Sequence, residues 1–188
     1  MADDRFRNRQ TRRPAKPLDP ARLEEMALAY VARFSTSAAK FERYLTRKLR
    51  EKGWEGEGEP PVAETVARYV ELGYIDDESY ARMKSGSLLR RGYGARRVNQ
   101  ALGQAGIAEE LRAEVAPRQV AAREAAATYG RRRRFGPYGV ADPATREKQL
   151  AAMVRAGHGF DAARALVDAL SVAEVEQWIE EAREEEED

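Results

Sequence analysis

Hydrophobic side chains recur along this chain at steps of three and four residues, which is the spacing of one face of an α-helix. The clearest run contains Leu23, Met26, Ala27, Tyr30 and Val31. The same spacing, bounded by capping residues, prolines and glycines, predicts ten short helices from residue 20 onward. The sequence lacks the alternation of a β-strand and the turn pairs of a β-hairpin. The pattern therefore predicts an all-α protein.

Glycines end several predicted helices at regular distances. Gly53, Gly106 and Gly157 are separated by 53 and 51 residues, and an apolar residue, Trp54 or Ile107, follows the first two. Self-similarity at this period is typical of stacked helical modules that share a core with their neighbours. We therefore predict an elongated, curved stack of three tandem three-helix repeats.

The repeat also predicts where the segments of the chain begin and end. The first residues lack apolar periodicity and are rich in arginine and proline, which is typical of a disordered segment. The last residues place negative charge at a helix C-terminus, where the helix dipole disfavours it. The predicted segments are a disordered basic arm (1–19), three three-helix repeats (20–75, 76–117 and 118–172) and a C-terminal helix with a frayed acidic tail (173–188).

Charge is distributed unevenly, although the formal net charge is only +1. Residues 88–134 hold eleven arginines and four glutamates, whereas residues 171–188 hold nine acidic groups and one arginine. A basic middle favours a polyanionic or acidic partner. We further expect the acidic tail to shield an arginine cluster.

Other features of the composition exclude whole classes of site. The chain contains no cysteine, which excludes disulfides and thiolate metal sites. No apolar stretch is long enough to cross a membrane. We expect a cytoplasmic monomer.

Candidate catalytic residues are few. The single histidine, His158, lies between two glycines with no evident orienting partner, so we interpret it as a solvent-exposed residue at a helix end. The adjacent carboxylates Asp76 and Asp77 are explained by helix capping. The Gly-x-Gly pieces at residues 92–94 and 157–159 lack the third glycine and the preceding strand of a dinucleotide site. We expect no enzymatic activity, no cofactor and no metal.

Two arginine clusters are the strongest candidates for a binding site. The first flanks the turn Gly92-Tyr93-Gly94, and the second precedes Phe135 and Tyr138. Guanidinium groups bind phosphate or carboxylate through paired hydrogen bonds, and neighbouring aromatic rings can stack on bases. Arginines also favour solvated helix C-termini, which is the alternative explanation for each cluster alone. The predicted contact residues are Arg90, Arg91, Arg96, Arg97, Arg131, Arg132, Arg133 and Arg134.

The stretch Gly73–Arg82, GYIDDESYAR, resembles the hallmark of the RecX family of recombination regulators. A helix that ends in Gly53-Trp54 precedes it, and LLRRGYGARRVNQALGQAGI follows it. The resemblance is specific over about residues 27–115 and weaker through Leu170. The motif residues that it marks as structural are Gly53, Gly73, Tyr74, Asp76, Asp77, Tyr80 and Gly106.

The resemblance implies tandem three-helix repeats that bind the RecA recombinase filament on single-stranded DNA. Such proteins inhibit strand exchange, ATP hydrolysis and co-protease activity by blocking filament extension or promoting disassembly, without enzymatic activity of their own. It thereby implies a role in homologous recombination and the SOS response, and some members also bind DNA. The arginines leave a second function open, that of a helical protein acting directly on DNA.

Overall fold

The computed structural model describes residues 16–140 and 142–187 of the chain. Within these residues the regular structure is helical, apart from one isolated backbone bridge between Leu18 and Trp54. This confirms the all-α prediction. The helices are α1 (Pro20–Val31), α2 (Ala38–Lys52), α3 (Val62–Glu71), α4 (Asp77–Arg90), α5 (Ala95–Gln104), α6 (Glu109–Glu114), α7 (Gln119–Arg133), α8 (Pro143–Arg155), α9 (Phe160–Asp168) and α10 (Val172–Glu187), with a 3-10 helix at Gly136–Tyr138.

Polar side chains cap the N-termini of several of these helices, as the sequence suggests. The Asp76 carboxylate accepts the Ser79 backbone N–H at 2.9 Å and so caps α4. The same contact lowers the pKa of Asp76, because the Ser79 hydroxyl and N–H both stabilise the charged form. Asp19, Ser37 and Asp142 cap α1, α2 and α8 in the same way.

Helices α3, α4, α5 and α8 end in one shared geometry. A glycine with positive φ follows each helix, at positions 73, 92, 106 and 157. The N–H of the next residue then bonds to the carbonyl five residues back, as Ile107 does to Leu102 at 3.1 Å. Gly53 differs, because its ψ of 168° leads into extended chain and its carbonyl accepts the Leu18 N–H at 3.0 Å. Gly53 therefore matches Gly106 and Gly157 in its position in the sequence, but the chain after it has a different geometry.

The described residues up to Ile75 form the first compact unit of the chain. Its core consists of Leu18, Leu23, Ala27, Phe41, Leu45, Tyr69 and Ile75. Leu18 is only 2% exposed, so the predicted disordered arm of residues 1–19 extends too far. The reason is that Leu18 fills the core beside α1 while its backbone pairs with Gly53 and Glu55. Residues 1–15 of that arm lie outside the described residues.

The described residues from Asp76 onward form the second compact unit, which holds two hydrophobic clusters. One lies among α4, α5 and α6 and the other among α7, α8, α9 and α10. Successive groups of helices, α1 to α3, α4 to α6 and α7 to α10, thus each have their own cluster, which confirms a tandem helical repeat. The last helix is not a separate segment, because Val175 is buried in the third cluster with Trp178 and Ile179 packed against it.

The acidic end of α10 is helical through Glu187, so the prediction of a frayed tail is wrong. The tail lies against the N-terminus of α7, where the Val120 N–H donates to the Glu186 carboxylate at 2.9 Å. Arg123 lies 3.8 Å from Glu185. The positive end of the α7 dipole therefore offsets the penalty at the C-terminus of α10. Among the described residues, the tail contacts the beginning of α7 and neither of the predicted arginine clusters, which contradicts the expected shielding.

Candidate basic groove

Two turns of the second unit touch backbone to backbone. The Gly94 N–H donates to the Ala156 carbonyl at 3.0 Å, and the Arg96 N–H donates to the Gly157 carbonyl at 3.1 Å. A Cβ on Gly94 would lie 2.3 Å from that Gly157 carbonyl, so only glycine fits there. The two Gly-x-Gly pieces therefore pack against each other, and they join the turn after α4 to the turn after α8.

His158 is the buried centre of this joint. Its side chain is 3% exposed, which makes the sequence interpretation of a solvent-exposed residue wrong. Its Nε2 lies 3.0 Å from the Gly92 carbonyl, and because a carbonyl only accepts, Nε2 carries the proton. Burial lowers the pKa of His158 below its ordinary value of 6.5. A sequence signal existed, since His158 follows a helix-ending glycine at the position that Ile107 takes in the preceding repeat.

The joint brings the start of α5 close to the ends of α7 and α8, and a groove of about 690 Å³ lies between them. Four arginines line it, together with two tyrosines and two alanines. The described lining contains no carboxylate. The lining arginines are Arg97, Arg132, Arg133 and Arg155, and the tyrosines are Tyr93 and Tyr129. We call this surface the basic groove.

The charge of the basic groove is uncompensated. Among the described residues, the ion pairs of the second unit are made by other arginines, namely Arg82, Arg123, Arg146, Arg164 and Arg183. Arg132, Arg133 and Arg155 lie in the last turns of their helices, where the dipole favours cations. Arg97 lies in the first turn of α5, where the dipole opposes it. Helix stability therefore does not explain why Arg97 joins the other three.

Aromatic rings hold several of the guanidinium groups in place. The Arg132 guanidinium lies 5.6 Å from the centre of the Tyr129 ring, and Arg91 lies 5.2 Å from Tyr93. Such cation–π contacts restrict an exposed arginine without neutralising its charge. The groove thus presents positioned cations beside two aromatic faces.

The structure brings only part of the predicted site together. Arg97, Arg132 and Arg133 line the groove, and Arg91 adjoins it through Tyr93. Arg96 instead lines a separate cleft of about 380 Å³ between α5 and α6.

The remaining predicted arginines stay outside the groove lining. Arg90 and Arg134 are exposed, and Arg131 stacks on Tyr138. Arg131, Arg132 and Arg133 form the last turn of α7, and Arg134 is its C-cap.

The sequence missed Arg155. It stands alone in the last turn of α8, with no neighbouring cluster to mark it. Only the joint between the two turns places it beside Arg97, so no local signal identifies it.

Fold and groove together define a class: a tandem helical repeat protein with an uncompensated basic surface. In the described part of the chain, no helix is both long and apolar enough to span a membrane. A family model described as "RecX, second three-helix domain" matches residues 76–115.

Curated relatives extend this match over most of the chain. Regulatory protein RecX of Myxococcus xanthus (strain DK1622) is 33% identical over 177 residues, which cover 88% of this chain and 94% of the relative. Regulatory protein RecX of Mycobacterium sp. (strain JLS) is 36% identical over 89 residues, or 47% of each chain. The crystal structure of RecX from Lactobacillus salivarius aligns with a TM-score of 0.59 at 17% identity, covering 80% of this chain and 95% of that chain. The protein belongs to the RecX family of regulatory proteins.

Proposed function

We propose that this protein is a cytoplasmic, non-enzymatic regulator of the RecA recombinase in homologous recombination and the SOS response. It binds RecA and its filament on single-stranded DNA, and it inhibits their recombinase, ATPase and co-protease activities. The observation that carries the proposal is a groove of four uncompensated arginines in a chain whose relatives are regulatory proteins.

The mechanism is stoichiometric binding. Each guanidinium group can hold a carboxylate or a phosphate through two parallel hydrogen bonds. Acidic side chains of a RecA filament and the phosphates of its DNA both supply such groups. Arg97, Arg132, Arg133 and Arg155 come from three different helices, so they form a fixed constellation rather than a flexible basic segment.

The test is RecA-catalysed ATP hydrolysis on single-stranded DNA, titrated with this protein. We expect the wild type to lower the rate and the groove variant to need at least about tenfold more protein for the same effect, because charge-assisted contacts are lost. The groove variant carries Arg97→Ala, Arg132→Ala, Arg133→Ala and Arg155→Ala.

A matched control removes the same number of positive charges from arginines that already have acidic partners. It carries Arg82→Ala, Arg146→Ala, Arg164→Ala and Arg183→Ala, and we expect it to inhibit like the wild type. Equal inhibition by the wild type and the groove variant, with circular dichroism showing that both fold, would contradict the assignment of the groove.

Tyr93 and Tyr129 favour a second candidate, direct action on DNA, because aromatic rings beside cations can stack on single-stranded bases. That function predicts tight binding of a labelled oligonucleotide without RecA, with an affinity that falls steeply as salt rises. Binding that disappears near physiological salt argues for the RecA filament as the target.

A further inference from the structure

Helix α10 has two faces with different roles. Its inner face packs on the third repeat, with Val175 and Ala182 buried. Its outer face carries glutamates at spacings of four, four and three residues, which places them in one row along the helix. These side chains are all exposed, and we call them the acidic row: Glu176, Glu180, Glu184 and Glu187.

Three of the four glutamates in the acidic row have no ion-pair partner among the described residues. Glu180 pairs with Arg183, but no ion pair joins Glu176, Glu184 or Glu187 to another described residue. Like charges four residues apart destabilise a helix, so helix stability does not account for the row. The N-terminal face of α7 does not account for it either, because Glu185 and Glu186 already fill that place.

The acidic row cannot reach the basic groove of its own chain. The tail is held at the start of α7 by the bond from Val120 to Glu186. Together with the pair between Arg183 and Glu124, this bond places α10 on the face of α7 that carries Val120 and Glu124. The groove residues Tyr129 and Arg133 each lie nine residues further along, about 180° around the helix, so α7 itself separates the row from the groove. Reaching it would break the packing of α10 on α7 and expose Ala182.

We propose that the acidic row of one copy docks in the basic groove of a second copy. The two surfaces are complementary in sign, and within the described part of the chain the groove arginines and three of the four row glutamates have no ion-pair partner. The contact joins different patches on the two copies, so it is head-to-tail and leaves one free groove and one free row at the ends of each assembly. It occupies the groove on which the proposed function also rests, and it therefore competes with any other polyanion there.

The experiment is sedimentation equilibrium of the full chain, without RecA or DNA, at about 0.1 M and about 1 M salt. Between these conditions the Debye length falls from about 10 Å to about 3 Å. We expect the average mass to rise with protein concentration at the lower salt and to return to the monomer at the higher salt. Because RecA and DNA are absent, this result and the ATPase result can fail independently.

Two variants make the test specific. The groove variant defined above lacks the basic groove, and a row variant carries Glu176→Gln, Glu180→Gln, Glu184→Gln and Glu187→Gln. Each is expected to be monomeric alone, while an equimolar mixture forms a one-to-one complex, because each variant keeps the surface that the other has lost. A control with the same change in charge, Glu25→Gln, Glu42→Gln, Glu64→Gln and Glu71→Gln, is expected to associate like the wild type.

Three outcomes overturn the proposal. One is a wild type that stays monomeric at the lower salt and at high protein concentration. Another is self-association that survives in either variant alone. The third is association that disappears when residues 1–15 are removed but persists in the groove variant, which would assign the acidic row to the basic N-terminal arm instead.

Discussion

Both ends of α7 carry arginines, but these arginines differ in whether they have partners within the chain. Near the beginning, Arg123 donates to the Trp178 carbonyl, lies 5.1 Å from the Trp178 ring centre and pairs with Glu185. At the end, Arg132 and Arg133 face the basic groove without a carboxylate in its described lining. The difference is that Arg123 contacts α10, whereas Arg132 and Arg133 lie on the face of α7 that lines the groove. An arginine-rich sequence therefore does not locate a binding surface until the internal partners are known.

The largest expected effect is on the joint that assembles the groove. Gly94→Ala places a Cβ 2.3 Å from the Gly157 carbonyl, so we expect the free energy of unfolding to fall by about 2 to 3 kcal/mol. Gly159→Ala is the matched control, because its Cβ would meet nothing within 4 Å. We expect that control to cost less than about 1 kcal/mol, the cost of a weaker N-cap. Urea unfolding measures both, and equal costs would show that the two turns are not in close contact.

The second prediction compares the loss of stability on removing an arginine from each end of α7. We expect Arg123→Ala to lower the free energy of unfolding by about 1.5 kcal/mol, because its side chain is only 13% exposed and bridges α7 to α10. Arg132→Ala is expected to change it by less than about 0.5 kcal/mol, as for an exposed surface residue. Thermal and urea unfolding of the two single variants make the comparison. A larger loss for Arg132→Ala would reverse the roles given to the two arginines.

The third effect is a pH dependence from His158. Its folded pKa is lowered below 6.5, so the unfolded chain binds more protons as the pH falls through 6.5, and the folded state is destabilised. The contribution is fully present above pH 6.5 and is lost toward the lower folded pKa, with a slope of at most about 1.4 kcal/mol per pH unit.

Comparison with a His158→Gln variant isolates this contribution, because the carboxylates titrate in both proteins. We expect the difference in unfolding free energy between wild type and variant to depend on pH below 6.5 and to be flat above it. A constant difference from pH 5 to 8 would show that His158 is not held neutral in the fold.

The smallest effect concerns the tertiary cap at the beginning of α7, which has no side-chain cap of its own. Glu186→Ala removes the acceptor for the Val120 N–H, and we expect a loss of about 0.5 to 1 kcal/mol. Glu187→Ala on the outer face is expected to change stability by less than about 0.5 kcal/mol. The urea concentrations at the unfolding midpoints of the two variants test this prediction. Identical midpoints would show that Glu186 does not cap α7.

The helices and their ends could be predicted because their signals are local. Asp19, Ser37, Asp76 and Asp142 cap helices through bonds within two or three residues, and these are visible in sequence. The failures concern tertiary contacts. The dipole of α10 alone predicts a frayed tail, whereas the N-terminus of α7 stabilises it.

The same distinction applies to the site. Two clusters supplied Arg97, Arg132 and Arg133, since runs of arginine are conspicuous in a sequence. Arg155 and His158 belong with them only because two glycine turns interlock, and no spacing along the chain encodes that contact. The sequence therefore identifies three of the four groove arginines but not how the fold arranges them.

The most direct test of the central claim, that unpaired arginines and not paired ones contact the partner, compares two double variants in the RecA ATPase titration. Arg132→Ala with Arg133→Ala removes two groove arginines, and Arg146→Ala with Arg164→Ala removes two ion-paired ones. We predict that the first pair raises the inhibitory concentration about tenfold, equivalent to about 1.4 kcal/mol, while the second leaves it near that of the wild type. Equal shifts for the two pairs would show that inhibition depends on total charge and not on the groove.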